Sequence, residues 1–536
     1  MENLARSTIG SCLLLAAIAA ATLFFQLGRL PLIGADEPRY ARIAGEMTLE
    51  SRWVTPTLEG RPWLEKPPLY YWLTIPVFRL AGQSEAAARL GPALAALWTA
   101  FVIYWLGSAL WSRLAGLIGA AALLTMVGFA AFGRSASTDM PMAACMTTFL
   151  AVLAVAARYS QPWWKVLAGY VFLGLAILAK GPVALVLAVG IGACYWAFRD
   201  RWELRCWHPV AGLATALAVS LPWFWLAFRQ NGFGFILVFF INHNLARYVT
   251  DIHHHTQPFY YYVPVILGFV FPWAAWLLFS APAPRNALRA MRNWREWNPA
   301  NLFIGCWILF PLLFFSISRS KLPGYVIPVL PAIAMLVGSK LAGWIEGGPS
   351  PRRSAALGHA VASIAVGIGV LLVLRTRYGA GWMPGVLIGA ITLVPALAGT
   401  AAALCGRWRA AVVATTVQGV ASVMAFVLLA SPFLAASLSA RDIALAALSS
   451  RSAGEEIATY KYFHHTLDYY TAYQIASDLE DREALEQFAP QRHGFLIVTR
   501  KQWIPELRQL RCCTIQPLAE QGDLRLLRVT RNPSLP

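Results

Sequence analysis

The sequence predicts an all-α polytopic membrane protein of about 13 transmembrane helices, followed by a small soluble α/β unit. Three observations predict it. Hydrophobic residues make up 58% of the 536 positions and charged residues only 13%, with a mean hydropathy of +0.54, whereas soluble globular chains carry roughly 25% charged residues. Apolar stretches of ~16 to 24 residues recur along most of the chain. Beyond Leu434 the composition turns from almost purely apolar to mixed.

The apolar stretches run from Ile9 to Leu27, Leu90 to Leu110, Leu114 to Phe132, Met140 to Ala157, Trp164 to Ala179, Val183 to Phe198 and Val210 to Phe228. They continue from Tyr260 to Phe279, Leu302 to Phe315, Leu322 to Leu341, Leu357 to Leu374, Met383 to Leu404 and Ala411 to Leu434. The first, preceded by Arg6, reads as a retained signal anchor rather than a cleaved leader. Arg113, Arg158 with Lys165, Arg199 to Arg205, Arg285 to Arg295, Arg352 with Arg353, and Arg407 with Arg409 all fall on one side of an alternating threading. The positive-inside rule makes that side cytoplasmic. The loop from Pro31 to Gln83 and the C-terminal tail are then expected outside.

Two domains are expected: residues 1–438 in the membrane and 439–536 as a periplasmic α/β unit. In the second, Ile457 to Phe463, Gly494 to Thr499 and Leu524 to Val529 read as strands, while Asp478 to Phe488 and Lys501 to Leu510 have helical spacing. The net charge of +18 comes partly from the inner loops and partly from outward residues such as Arg134, Lys180, Arg247, Arg319 and Lys321, which suit lipid phosphates. Nothing resembles a nucleic-acid module. The cysteines lack metal-ligand spacing, and the adjacent Cys512 and Cys513 imply no disulfide framework.

The densest chemistry lies in the first outer loop. Asp36-Glu37-Pro38-Arg39-Tyr40 reads as a helix start, with Pro38 in its first turn and acids at its N-terminus. Capping would explain Asp36, but Arg39 three residues on can share its face and orient it. Asp139, in Ser137-Thr138-Asp139-Met140-Pro141 beside Arg134, repeats the arrangement at a second outward helix start. Together they predict paired carboxylates at one membrane face. Between prolines, Glu65 and Lys66 are presented from a stiff turn, where Lys66 suits a phosphate. Tyr70, Tyr71 and Trp72 fit helices lying in the interface.

The outward Ser318-Arg319-Ser320-Lys321-Leu322-Pro323-Gly324-Tyr325 combines hydroxyls and cations before a helix, as an anion site does. Lys180 in Leu178-Ala179-Lys180-Gly181-Pro182 reads instead as a lysine snorkelling from a span end. The triplet His253-His254-His255 lacks ligand spacing; Glu65 with His243 is the better metal pair, provided that the fold brings them together.

In their order along the chain, Asp-Glu-Pro-Arg-Tyr, Trp-Leu-Glu-Lys-Pro-Pro-Leu-Tyr-Tyr-Trp, Ser-Thr-Asp-Met-Pro, Leu-Ala-Lys-Gly-Pro and Ser-Lys-Leu-Pro-Gly-Tyr-Val-Ile-Pro resemble the membrane glycosyltransferases that use polyprenyl-phosphate sugars. Within the wider protein O-mannosyltransferase superfamily, the pattern is most similar to the lipid A aminoarabinose transferases. The resemblance implies a GT-C fold with interfacial helices in the first outer loop. It implies inverting transfer of 4-amino-4-deoxy-L-arabinose from undecaprenyl phosphate to lipid A phosphates, which lowers lipid A charge and gives resistance to polymyxin and cationic peptides. By motif position it implies Asp36 and Asp139 as catalytic acids. Arg39, Tyr40, Lys66 and Tyr325 match the family's substrate-binding positions, and Arg247 lies in a stretch that matches in part; Glu65, Arg134 and Lys321 join them as substrate-binding candidates on their own chemistry. No cofactor is required on this reading, and a divalent metal on Glu65 and His243 stays open. The expected partners are the undecaprenyl-linked donor, lipid A and membrane lipids, with the protein acting as a monomer. Transfer of galacturonic acid or mannose to lipopolysaccharide core or protein is the alternative. A flippase would need ionisable residues at mid-span, whereas here they gather at the outer edge.

Overall fold

The computed structural model describes residues 7–198, 205–246, 248, 257–279, 298–350, 352–510 and 512–532. Each expected apolar stretch falls on helical segments. Among the described residues nine helices are long and apolar enough to cross a membrane, ten if the bent pair Arg113–Thr125 and Val127–Gly133 counts as one span. Thr8–Phe24, Val183–Ala197, Phe233–Ala246 and Phe259–Val270 are apolar but shorter, so length and composition alone do not yield the thirteen spans expected.

Serine starts two of these helices by capping: Ser84 Oγ accepts from Ala87 N at 3.2 Å, and Ser112 Oγ from Ala115 N at 3.2 Å. Helix Glu85–Leu110 packs on Arg113–Thr125 and Asp139–Arg158, and the latter on Trp163–Lys180. Helix Leu330–Ile345 packs on Arg113–Thr125 so closely that a Cβ on Gly338 would stand 2.3 Å from the Ala115 carbonyl oxygen. Such small residues let backbones approach where apolar burial against lipid provides little drive. Arg352–Arg377, Trp382–Leu404 and Trp408–Ala425 follow as consecutive antiparallel neighbours. At one end of the bundle Ser112 Oγ meets Glu346 at 3.5 Å and Trp408 Nε1 donates to Ser350 Oγ at 3.2 Å. At this end helices begin at Arg113 and Arg352, and Arg407 precedes the helix that starts at Trp408.

At the other end the Pro31 to Gln83 loop folds into helix Asp36–Leu49, the hairpin β1 (Thr57–Leu58) and β2 (Arg61–Pro62), and helix Leu69–Ala81. Tyr70 and Tyr71 are fully buried in a small core of their own with Tyr40, Ile43, Met47 and Phe78. The helices of this loop thus carry a core of their own, while Trp53 stays exposed.

After Leu438, helix Arg441–Ser450 leads into a five-stranded sheet of order β4-β3-β5-β7-β6. Its strands are β3 (Glu456–Tyr460), β4 (Ile475–Leu479), β5 (Gly494–Arg500), β6 (Cys513–Gln521) and β7 (Leu524–Arg531). β3 runs parallel to both β4 and β5, and β7 pairs antiparallel with β5 and β6. Two sequence expectations change here. Asp478 lies in β4 and the helix begins only at Arg482, capped by Asp481, whose Oδ1 accepts from Ala484 N at 2.8 Å. Neither β4 nor β6 was expected as a strand. Cys512 and Cys513 are free thiols.

Candidate active site

The site begins at the start of helix Asp36–Leu49. The N-cap is Ala35, which has no side-chain acceptor, and the half-exposed Asp36 carboxylate instead receives Arg39 Nη2 at 2.5 Å. Arg39 also donates from Nε to the Ala35 carbonyl at 3.0 Å and lies 5.3 Å from the Trp63 ring centroid. The helical i,i+3 spacing thus orients the acid, as the sequence suggested.

Asp139 opens helix Asp139–Arg158. Its Oδ1 pairs with Lys180 Nζ, and Lys180 Nζ stands 5.0 Å from the Tyr325 ring centroid. Gly324 makes this arrangement possible: a Cβ there would come within 3.1 Å of Asp139 Oδ2 and 2.9 Å of Phe132. Lys180, read from sequence as a snorkelling residue, is therefore corrected to the partner of Asp139. Three separate turns meet at this carboxylate.

Both acids lie within electrostatic reach of Tyr40. Burial raises the Tyr40 phenol well above its usual pKa, and the fields of Asp36 and Asp139 add to the shift. Tyr71 is raised by burial, by Tyr70 and by Glu65, with Asp36 contributing and Arg39 opposing. Tyr40, Tyr70 and Tyr71 pack with ring centroids 5.6 to 6.4 Å apart. Around them Trp63 Nε1, Tyr71 Oη and Ser137 Oγ are buried without a hydrogen-bond partner among the described residues. Buried donors left so are costly, and a polar ligand is one way to satisfy them.

Glu37 holds these parts in register, a role that sequence reading missed. Only 5% exposed, its Oε1 accepts from Arg89 Nε at 3.0 Å and Ala136 N at 2.8 Å. Its Oε2 accepts from Arg89 Nη2 at 2.7 Å and Ile33 N at 2.9 Å. Arg89 in turn donates to the carbonyls of Leu27, Leu30 and Pro31 at 3.1, 2.5 and 2.8 Å. One carboxylate thereby joins the segment before Asp36, the turn before Asp139 and helix Glu85–Leu110.

Other candidates are placed differently. Arg134 donates to the carbonyls of Thr22, Leu23 and Gln26 at 3.3, 3.1 and 3.2 Å, satisfying the open end of the first apolar helix. Lys321 is buried, its ammonium held by the carbonyls of Ser318 at 2.5 Å and Gln257 at 3.0 Å, and burial lowers its pKa. A buried cation needs such acceptors, so both side chains brace loops where substrate contact was expected. Glu65 and Lys66 are half-buried in the turn before helix Leu69–Ala81. Glu65 Oε1 does meet His243 Nε2, at 3.4 Å. Two ligands fall short of a four-coordinate metal site, and among the described residues no group of three potential ligands occurs. Arg247, Asp251 and the histidine triplet lie outside the described residues.

The C-terminal sheet unit completes one wall. Helix His465–Tyr470 packs on helix Asp36–Leu49. Tyr470 Oη donates to Glu85 Oε1 at 2.9 Å and accepts from Leu32 N at 2.8 Å, while the Arg42 guanidinium lies 3.5 Å from the Tyr473 ring centroid.

A bundle of apolar spans, a loop-built pair of acids at one end and a sheet unit beside them define the GT-C class of membrane glycosyltransferases. Superposition agrees on the fold: ArnT from Cupriavidus metallidurans bound to undecaprenyl phosphate matches with a TM-score of 0.76 and 23% identity, over 98% of this chain and 99% of that one. The oligosaccharyltransferase AglB from Archaeoglobus fulgidus matches at 0.51 and 11% identity, over 98% and 74%. Residues 65–225 match the dolichyl-phosphate-mannose-protein mannosyltransferase family. The undecaprenyl phosphate-alpha-4-amino-4-deoxy-L-arabinose arabinosyl transferase of Erwinia tasmaniensis is 30% identical, over 70% of this chain and 69% of that protein. Those of Serratia proteamaculans and Pseudomonas fluorescens are 33% and 32% identical, over 60% and 57% of this chain but only 58% and 55% of their own lengths. The chain belongs to the undecaprenyl phosphate-aminoarabinose arabinosyl transferase family.

Proposed function

We propose that this protein is an inverting glycosyltransferase that moves 4-amino-4-deoxy-L-arabinose from undecaprenyl phosphate to phosphate groups of lipid A. Residues 1–438 form the catalytic membrane domain in the bacterial inner membrane, and residues 439–536 a periplasmic unit beside an outward-facing site. The observation that carries the reading is that two acids opening outer-loop helices are each held by a cation, Asp36 by Arg39 and Asp139 by Lys180, in a chain of this family.

The chemistry suits these residue types. An acceptor phosphate oxygen forms a bond to the anomeric carbon as the bond from that carbon to the undecaprenyl phosphate oxygen breaks. The leaving phosphate departs with the bonding pair and gains negative charge, which Lys66, Arg39 and Arg247 neutralise. A phosphate monoester has its second pKa near ~6, so most acceptor is already dianionic at neutral pH. Asp36 then has little need to remove a proton; it stabilises the oxocarbenium-like sugar. Asp139 suits the ammonium of the aminosugar. The transfer replaces lipid A negative charge with a cationic sugar and weakens the binding of polymyxin and other cationic peptides. Mass spectrometry of lipid A from cells with and without the gene tests the reading: an added aminopentose that depends on this protein is expected, and identical spectra would overturn it.

A further inference from the structure

The C-terminal unit meets the first loop through the segment Tyr462 to Tyr473. The tyrosine contacts to Leu32, Glu85 and Arg42 described above fasten its later half and leave Phe463, His464 and His465 leading. Phe463 is exposed, and its ring meets the His465 ring nearly edge-on at 4.8 Å. His464 Nδ1 engages Thr466 Oγ1 at 2.6 Å, and its ring lies parallel to that of Tyr462 at 6.3 Å. The exposed Arg500 follows at the end of β5, its guanidinium 5.7 Å from the Tyr462 centroid. His465 feels the charges of Arg39 and Asp36, and His464 that of Arg500. Burial first and the arginines second lower both imidazoles, His465 to about 4, so that both are neutral donors at neutral pH.

Helix His465–Tyr470 of this segment packs on the helix that Asp36 opens, and Arg500 of the sheet lies against Tyr462 at the segment's start. The transferred sugar is a single residue whose phosphate Lys66 and Arg39 can reach at the membrane. The acceptor is a phosphorylated glycolipid with a larger polar head, which has to extend past Asp36 toward whatever adjoins it. We propose that His465 and Arg500 bind the phosphorylated sugar head of the acceptor, so that the C-terminal unit sets acceptor affinity while the membrane domain holds the donor. Neutral imidazole donates to a phosphate oxygen without needing a counter-acid, and the Phe463 and Tyr462 rings offer flat apolar faces to sugar. The inference rests on the function proposed above.

The test uses full-length protein in liposomes with the undecaprenyl-linked aminopentose and lipid A, varying each substrate in turn. His465→Ala and Arg500→Ala should each raise the acceptor KM about 2- to 10-fold, the loss of one hydrogen bond. The donor KM and the melting temperature should hold, and His465→Gln, which keeps a donor, should recover part of the loss. An unchanged acceptor KM overturns the proposal, as does a parallel rise in both KM values with a lowered melting temperature. Wild-type protein that transfers no aminopentose would defeat the functional reading and this one together; normal wild-type transfer with indifferent variants defeats this one alone.

Discussion

Arg89 and Glu37 form a two-point ion pair, Nη2 to Oε2 at 2.7 Å and Nε to Oε1 at 3.0 Å, with the residues only 2% and 5% exposed. Every remaining lone pair and donor in this pair that the geometry reveals is directed at backbone of the two acid-bearing turns. Removing one partner from such a pair strands a buried charge, at a cost of about 3 to 5 kcal/mol. Glu37→Gln should therefore lower the melting temperature and the yield of folded protein in detergent, as read by thermal unfolding and gel filtration. A variant as stable as wild type would show that the pair is not what holds the turns together.

Asp36, the preceding residue, should behave in the opposite way. Its carboxylate is 56% exposed and, among the described residues, paired only with Arg39, and exposed pairs contribute about 0 to 1 kcal/mol. Asp36→Asn is expected to insert and melt like wild type while transfer falls about 100-fold or more, the scale for removing a charge aimed at the transition state. The readout is aminopentose on lipid A, beside a melting curve of the same preparation. Near-normal transfer would return Asp36 to a role in starting its helix.

The Asp139 and Lys180 pair makes a prediction about coupling. If the ammonium orients the carboxylate, Asp139→Asn and Lys180→Gln should each lower kcat/KM, and the double variant should be no worse than the poorer single. The coupling should fall in the range of about 0.5 to 3 kcal/mol seen for residues in contact. Strictly additive losses in the double-mutant cycle would mean that the two residues serve separate steps.

What was legible in the sequence was local. The apolar stretches, the helix starts at Asp36 and Asp139, and the i,i+3 reach of Arg39 all follow from periodicity and turn chemistry. Pairings across the fold were not: Lys180 meets Asp139 across 41 positions, Arg89 meets Glu37 across 52, and Tyr470 meets Glu85 across 385. A lone lysine at a span end looks the same whether it snorkels or pairs. Likewise Arg134 and Lys321 looked like phosphate ligands because sequence reports their charge and not the carbonyls around them. Strand β6 escaped because it is an edge strand, unevenly buried, with an irregularity at Pro517 to Ala519; edges tolerate proline and need no alternating pattern.

The last prediction concerns pH and the contact between the sheet unit and the first loop. Burial chiefly, then Glu59 of the hairpin and Asp478 of β4, raise the Asp468 carboxyl to about 7. In the unfolded chain it titrates near 3.8, so between these values the folded protein binds more protons than the unfolded one. Stability must then fall as pH rises through this window, with the penalty absent below about 3.8 and complete above about 7. The full shift would correspond to ~4 kcal/mol at ~1.4 per unit; because the side chain keeps some contact with solvent, screening reduces this to about 1 to 2 kcal/mol. Asp468→Asn removes the charge at similar size. Its melting temperature should exceed that of wild type at pH 8, and the gain should shrink steadily toward pH 5. The comparison is a pair of melting series in one detergent at constant ionic strength. A difference that stays constant with pH would mean that Asp468 does not titrate in this range, and that the neighbouring acids are kept apart by something other than its proton.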